Sequence, residues 1–516
     1  MKRNARSGRH HLEGLQPEGE VAAATPVDTF AGRVHVEWDT TAPVTPLGQL
    51  PFFIEFLKQG GLFDGWVSDC PLVLTSPNAP KRRDVLGTVL LSVLAGHWRY
   101  AHITAVRGDG VNPALLGMGK VVSEDAVRRA LAKIGEADGV EWLQAHLDYC
   151  VAPLLREPWV LDVDTTVKPL YGHQEGAVVG YNPRHRGRPS HVYHTYMMAE
   201  LRLALAVEVA PGNRHTGKHA APGLWELLGR YERARWPWLL RGDADWGKDG
   251  IMSRAEREGV AYLFKLQLTA NVKRLITRLM GERAWEDAGQ GWQGKAAMLR
   301  LDGWSRPRQV VVLRRRLKEP LALAARSADG QLALDFIEVG AGHALYDYAV
   351  LVTSLAAEIV TLTQLYRDRA DCENAFDELK NQWGWGGFTT QDRARSRLMA
   401  RIVALIYDWW TLFVRLADPS RHHEAITSRP LLLHGVARQT RHAGQTKITI
   451  SPMHGRADKA RHALQRLAAF FAELRATAEQ LTSLERWYRI LTRALHKYLR
   501  GRPLHPRPHT LPTPAG

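Results

Sequence analysis

Apolar and polar positions along this chain change period twice, and each change predicts a different kind of structure. From about Pro46 to Glu157 the apolar residues recur at helical spacing. LGQLPFFIEFLKQGGLF and RDVLGTVLLSVLAGHWRY have helical length, the second after a basic start at Lys81, Arg82 and Arg83. SEDAVRRALAKIG opens with Ser123 as a helix cap followed by acids, and DGVEWLQAHLDYCVAPLL closes the group. Arg128 and Arg129 on one short helix suit either a helix-turn-helix reader of DNA or a plain packing module.

The next section alternates instead. In PWVLDVDTTV, Trp159, Leu161 and Val163 face one way while Val160, Asp162 and Asp164 face the other. HVYHTYMMAEL and LALAVEVAP predict two more strands and AAPGLWELLGRYERA a helix. PWLLRGD predicts a buried strand ending in Gly242 and Asp243, then KDGIMSRAEREG a helix and VAYLFKLQL a strand. Meander strands followed by strand–helix crossovers imply the α/β class, a mixed sheet with helices packed on it. After a helical piece around NVKRLITRLM, β character returns in AAMLRLDG, RQVVVLRRRL, LALDFIEVG and ALYDYAVLVTSL, with turn signals at SADGQ and GAGH. The period then reverts to helical through YRDRADCENAFDELK and MARIVALIYDWWTLFVRL. Residues 416–455 read as connecting segments rich in His and Arg, and KARHALQRLAAFFAELRATAEQLTSLERWYRILTRALHKYL as one or two helices.

These shifts divide the chain into a mobile basic arm (1–32), a helical N-terminal domain (33–157) and a core built from 158–280 and 350–415. A β-rich insertion (281–349), a helical C-terminal region (416–500) and a basic, Pro-rich tail (501–516) complete it. The formal charge of +16 favours a polyanionic partner, nucleic acid before anionic membrane. No apolar run is long enough to span a bilayer and the start lacks an apolar signal core, so a cytoplasmic protein is expected. Cys70, Cys150 and Cys372 lack paired spacing, which argues against a disulfide framework or a zinc knuckle.

Candidate chemistry concentrates in Tyr366 to Lys380. Tyr366, Arg369, Glu373 and Lys380 are separated by two, three and six residues. At about 100° per residue they share one narrow helix face, beside an apolar stripe of Leu365, Cys372, Phe376 and Leu379. The plain alternative is a solvated face with Arg369 and Glu373 as an i,i+4 pair. The spacing resembles the Tyr-Arg-Glu-Lys signature of bacterial insertion-sequence transposases, where this Glu is the third acid of a DDE triad. The loop YGHQEGAVVGYNPRHRGRPSH closely resembles the insertion-sequence family designated 1380, and the likeness covers roughly residues 155 to 410.

That resemblance implies a ribonuclease H-like core whose first and fourth strands are neighbours and carry the other two acids. Those places hold Asp164, with Asp162 as the alternative, and Asp243, with Asp245 as the alternative. Asp164 fits the family's Asp-x-Thr pattern, and Asp243 its Arg-Gly-Asp-x-x-aromatic context. Three carboxylates are hard oxygen ligands, suited to two magnesium or manganese ions that cleave and rejoin phosphodiesters. Arg184, Arg186 and Arg188 are candidates for DNA phosphates, and His173 and Glu175 for second-layer support. A tryptophan of the insertion, Trp292 or its neighbours Trp285 and Trp304, would stack a DNA base if it is not simply core. The resemblance further implies double-stranded DNA partners, terminal inverted repeats and target, and a homodimer in the synapsed state.

Overall fold

In the computed structural model the described residues are 24–39, 41–156, 158–182, 184–316, 337–339, 345–451, 455–477 and 479–506. Most of the expected arm and tail therefore lies outside the described residues, as do the turns at SADGQ and GAGH and most of the strand expected at LALDFIEVG. The part of the arm that is described is not irregular. β1 (Thr25–Thr29) and β2 (Gly32–Val36) pair as an antiparallel hairpin, closed by an Asp28–Arg33 ion pair of 2.8 Å.

After the short β3 (Val44–Thr45) come the helices α1 (Leu50–Gln59), α2 (Leu62–Ser68), α3 (Arg82–Leu94), α4 (Ile103–Val106), α5 (Asn112–Leu115), α6 (Glu124–Leu131) and α7 (Glu136–Val151). LGQLPFFIEFLKQGGLF is two helices, because Gly61 adopts a φ of 65°, a left-handed conformation that ends one helix and starts the next. Ser123 caps α6 by accepting from the Ala126 amide.

The alternating section forms β4 (Val160–Pro169), β5 (Val178–Val179), β6 (Pro189–Met198), β7 (Leu203–Pro211), α8 (Gly217–Gly229), β8 (Leu239–Gly242), α9 (Asp249–Arg257) and β9 (Ala261–Lys265). Then follow α10 (Ala270–Met280), β10 (Glu286–Gly289), β11 (Trp292–Leu299), β12 (Arg308–Arg316), β13 (Ile337–Val339) and β14 (Leu345–Thr353). All of these strands belong to one mixed sheet. Its order is β10-β11-β12-β14-β9-β8-β4-β6-β5, with β7 also on β6 and β13 on β14. β4, β8 and β9 run parallel at the centre, and every other pairing is antiparallel. The strands between 281 and 349 thus extend the central sheet beyond β9 instead of standing apart from it. β14 is the reason, since it bonds to β9 on one side and to β12 on the other.

The remaining elements are α11 (Ile359–Arg367), α12 (Ala370–Asn381), α13 (Arg393–Ala417), α14 (Ala425–Leu432), β15 (Val436–His442), β16 (Gln445–Ser451), α15 (Ala457–Ala476) and α16 (Ser483–Ala494). α13 is the central helix, and every residue from Leu398 to Val414 is buried. It packs on β7 and α7, joining the sheet to the N-terminal helices. Two of its buried charged groups reach the strands: Asp408 accepts from the Ala204 amide at 2.9 Å through one oxygen, and Arg401 pairs with Glu208. Residues 416–455, expected as connecting segments, contain the helix α14 and the β15–β16 hairpin.

Candidate active site

The two aspartates on β4 point to the same side of the sheet yet have different surroundings. β4 and β8 are parallel with Asp162 opposite Arg241 and Val163 opposite Gly242, so the next step along the register brings Asp164 beside Asp243. Asp162 is fully buried, and Arg241 donates to both of its carboxylate oxygens at 2.7 Å. It is consumed by a bidentate pair. Asp164 keeps 21% of its side chain exposed and receives one Arg369 donor at 2.8 Å.

Asp243 sits where β8 ends in a tight turn. Its side chain accepts from the Asp245 amide at 3.0 Å, and the Trp246 ring lies over Gly242 so closely that a Cβ there would come within 2.7 Å of it. Only glycine fits under that ring, which accounts for the Arg-Gly-Asp-x-x-Trp spacing. The Asp245 carboxylate accepts from Gln267 at 3.0 Å, and burial and the neighbouring Asp243 charge push it up.

The segment from Tyr366 to Lys380 is not one helix. α11 ends at Arg367, α12 begins at Ala370, and Arg369 lies at the junction. Arg241 causes the break. Its guanidinium donates to the Leu365 carbonyl, the acceptor that a continuous helix would offer to the Arg369 amide. That amide turns to the Tyr366 carbonyl instead, at 3.1 Å. The expected single helix is therefore corrected to two, joined through Asp368 and Arg369, which both keep right-handed helical backbone. Arg369 is swung inward, with 3% of its side chain exposed, and bridges Asp164 on the strand to Glu373 on α12. Arg241 was missed at the sequence level, although the arginine of Arg-Gly-Asp was in plain view.

Charge at this point is concentrated. Burial pushes the Asp164 carboxyl up to about 6; Arg369 opposes that shift, and the neighbouring charges of Asp243 and Glu373 add to it. Burial also raises the Tyr366 phenol, which feels Arg369, Asp243 and Glu373. Lys380 is lowered by burial and by Arg184, while Asp377 and Asp164 draw it back up. Asp164 and Tyr366 thus each fall within electrostatic reach of Asp243, Glu373 and Arg369, and Lys380 within reach of Asp164 and Arg184. Among the described residues no three His, Cys, Asp or Glu side chains converge as a ready metal-ligand cluster. Arg369 occupies the space between two of the carboxylates, and its Nε is buried without a partner. Oxygen donors from separate elements, mutually repulsive and held by one guanidinium, fit a hard divalent cation by their chemistry.

Other candidates lie further out. Arg186 is exposed, and Arg188 stacks over Tyr171 at 4.5 Å. Glu175 ties its loop to the start of α13, accepting from the Arg393 amide at 3.2 Å, and His173 is exposed. Trp304 is 6% exposed and belongs to the core, which removes it as a stacking candidate. Trp292, half-buried on β11, faces Arg315 at 4.9 Å, and Trp285 is covered by Arg314 at 4.0 Å. Their hairpin leans on the helix that carries Tyr366, since Arg367 donates to the Ala288 carbonyl at 2.9 Å. No helix among the described residues is long and apolar enough to cross a membrane.

A family model described as Transposase DDE domain group 1 matches residues 81–471. The chain belongs to that family, and its class is that of the DDE transposases. Among solved structures it is similar to a piggyBac transposase synaptic complex with hairpin DNA, determined by cryo-EM. That match has 9% identity, covers 92% of this chain and 89% of that one, and has a TM-score of 0.39. No curated protein matches the chain.

Proposed function

We propose that this DDE transposase is the enzyme of a bacterial insertion sequence, of the Tyr-Arg-Glu-Lys type resembling the family designated 1380. It binds the element's terminal inverted repeats, cuts there, and joins the freed ends to target DNA. The observation that carries this reading is the Arg369 bridge between Asp164 and Glu373, with Asp243 in electrostatic reach. Those acids come from three separate elements, and Arg369 links two of them, which an ordinary i,i+4 pair on a surface helix does not require. In this reading residues 158–280 and 350–415 form a ribonuclease H-like core, and the helical regions at 33–157 and 416–500 handle DNA. The protein works at the nucleoid as a homodimer, because a synapse holds two ends at once.

Asp164, Asp243 and Glu373 are the residues that would hold divalent ions, two magnesium or manganese. Bound there, such ions supply Lewis-acid stabilisation of the attacked phosphorus and a more acidic attacking hydroxyl. Arg369 lets go of Glu373 when the carboxylates take that role, and keeps Asp164 oriented. Tyr366, held protonated by burial, offers its O–H to a phosphate oxygen. Lys380 and Arg184 neutralise the phosphate, and Arg186 and Arg188 follow the backbone outward. Trp292 stacks a base near the cut. In the first step a water oxygen attacks phosphorus and the P–O3′ bond breaks, leaving a protonated 3′ oxygen on the element. That 3′-hydroxyl then attacks a target phosphodiester, and the target's own 3′ oxygen departs. One phosphodiester forms for each that breaks, so strand transfer needs no energy-rich cofactor.

The test is Glu373→Gln, incubated beside wild type with labelled duplexes of the DNA flanking the coding sequence, magnesium or manganese, and a supercoiled target. We expect the variant to bind ends and leave them uncut. A variant that cuts like wild type would show that Glu373 is a structural partner of Arg369. Wild-type protein that cuts without joining is a nuclease on the same fold, and one that only binds is a catalytically dead relic.

A further inference from the structure

We infer that the β15–β16 hairpin is a DNA-reading ribbon that enters the major groove of the element's own terminal duplex; this rests on the transposase reading above. Its register places Val436, Arg438, Thr440 and His442 on the same face as Ser451, Thr449, Lys447 and Gln445. All of these side chains are exposed, and apart from Val436 at the base all are hydrogen-bonding or basic. The opposite face carries Ala437, Gln439, Ile448 and Ile450, buried or half-buried at the root, and the exposed Arg441 and Thr446 toward the tip. One side of the ribbon is anchored and the other is free.

The anchoring is firm. Ala437 and Arg438 pair with β3, and the Gly48 amide donates to the Gly435 carbonyl at 2.7 Å. At the far end the chain reverses through Ala443 and Gly444, both at positive φ, 47° and 75°, the two-residue turn that suits a twisted ribbon. A rigid root and a tight tip hold the exposed face in one shape.

Charge and shape together select the partner. No acid occurs between Glu424 and Asp458, whereas Arg438, Arg441 and Lys447 all lie on the ribbon. Asp39, whose Oδ1 accepts from Thr41 and Ala42, lies within electrostatic reach of Arg438. No ion pair among the described residues engages Arg441 or Lys447. The tip has no large apolar side chain to insert into a bilayer. A two-stranded ribbon fits the major groove of B-form DNA, while the corresponding groove of double-stranded RNA is too deep and narrow. Side chains on one face recur roughly every 6.6 Å along a strand, about two base-pair steps.

The face is also more than a basic patch. Gln445, Thr440 and Thr449 can both donate to and accept from base edges in the combinations that discriminate base pairs. Capture of arbitrary target DNA needs only lysine and arginine on phosphates. Readout side chains are useful where one sequence must be found, and in transposition that sequence is the element's end.

The experiment uses full-length protein, a duplex of the DNA flanking the coding sequence, and a shuffled duplex of the same composition. Wild type is compared with Arg438→Ala/Lys447→Ala and with Thr440→Ala/Gln445→Ala, in binding across a salt series and in cutting. We expect the charge variant to weaken binding to both duplexes, with the salt slope of log K flatter by about 1.8, two phosphate contacts at ~0.9 each. The readout variant should bring the two duplexes closer in affinity by roughly tenfold. Unchanged binding and preference in both variants would overturn the proposal. So would a charge effect with an unaltered preference, which would make the ribbon a clamp for target DNA. Thermal melting is followed in parallel, and Arg438→Lys/Lys447→Arg must retain binding if charge is what acts. If wild type cuts its flanking duplex and the variants match it, only the ribbon falls. If wild type acts on no duplex, the transposase reading falls and takes the ribbon with it.

Discussion

Asp162 and Asp164 lie two residues apart on one face of one strand, and each meets an arginine, yet the two pairs do opposite work. Arg241 offers Asp162 two parallel donors in a fully buried setting, so the charges cancel and the pair fastens β4 to β8. Arg369 offers Asp164 one donor, shares itself with Glu373, and leaves Asp164 facing Asp243 as well. The first pair is satisfied and the second is not. Unsatisfied charge at the end of a strand is available for a ligand, and the Asp162–Arg241 pair is what holds it in place.

The largest difference should be seen in activity. Asp164→Asn is expected to abolish cutting of flanking DNA to below detection while melting temperature holds or rises, because one member of a repulsive acid group is neutralised. A folded Asp164→Asn protein that still cuts would erase the contrast. Asp162→Asn should do the reverse in kind, lowering stability by about 3–5 kcal/mol in denaturant unfolding by stranding Arg241 in the core. Activity in that variant should fall only as folded protein is lost.

A third prediction concerns the other face of β4, where Thr165 bonds His194 at 3.0 Å. Burial, with His219 and His215 adding to it, depresses that imidazole to about 4. The unfolded chain protonates it near 6.5, so between those values the unfolded state binds more protons. Stability from this group is complete above about 6.5 and is lost as pH falls toward 4, by up to about 3 kcal/mol. Urea unfolding at a series of pH values should show that slope, and His194→Gln should flatten it; an unchanged slope would mean that other groups set the acid limit. The smallest effect is at the rim of the second pair. Lys380→Ala should flatten the salt dependence of DNA binding by ~0.9 in log–log slope, the loss of one phosphate contact. An unchanged slope would place Lys380 off the DNA path.

The period-two alternation through Trp159 to Asp164 and the buried run before Asp243 specified β4 and β8. A strand with one apolar face has little freedom in where it sits. The mixed sheet and its flanking helices follow from that pattern and from the order of the elements. The hairpin at Val436–Ser451 was less visible. Its Ile-Thr-Ile alternation and Ala-Gly turn are present in the sequence, but arginines and histidines crowd them. A ribbon with one solvated face and a small anchored one has too few apolar residues to stand out.

By itself the sequence supplied the candidates for chemistry: three acids, a phenol, a guanidinium and an ammonium at a recognisable spacing, in an arginine-rich chain. It did not determine the break at Arg369, because nothing between Tyr366 and Lys380 disfavours a continuous helix. That break depends on Arg241, more than a hundred residues earlier, taking the Leu365 carbonyl. The choice of Asp164 over Asp162 rested in the sequence on the Asp-x-Thr pattern alone, since both alternate to the same face and both sit among β-formers. Only the packed sheet put a bidentate arginine on one and a shared arginine on the other. A carboxylate's availability depends on the donors within a few ångströms, and those are supplied by tertiary contact.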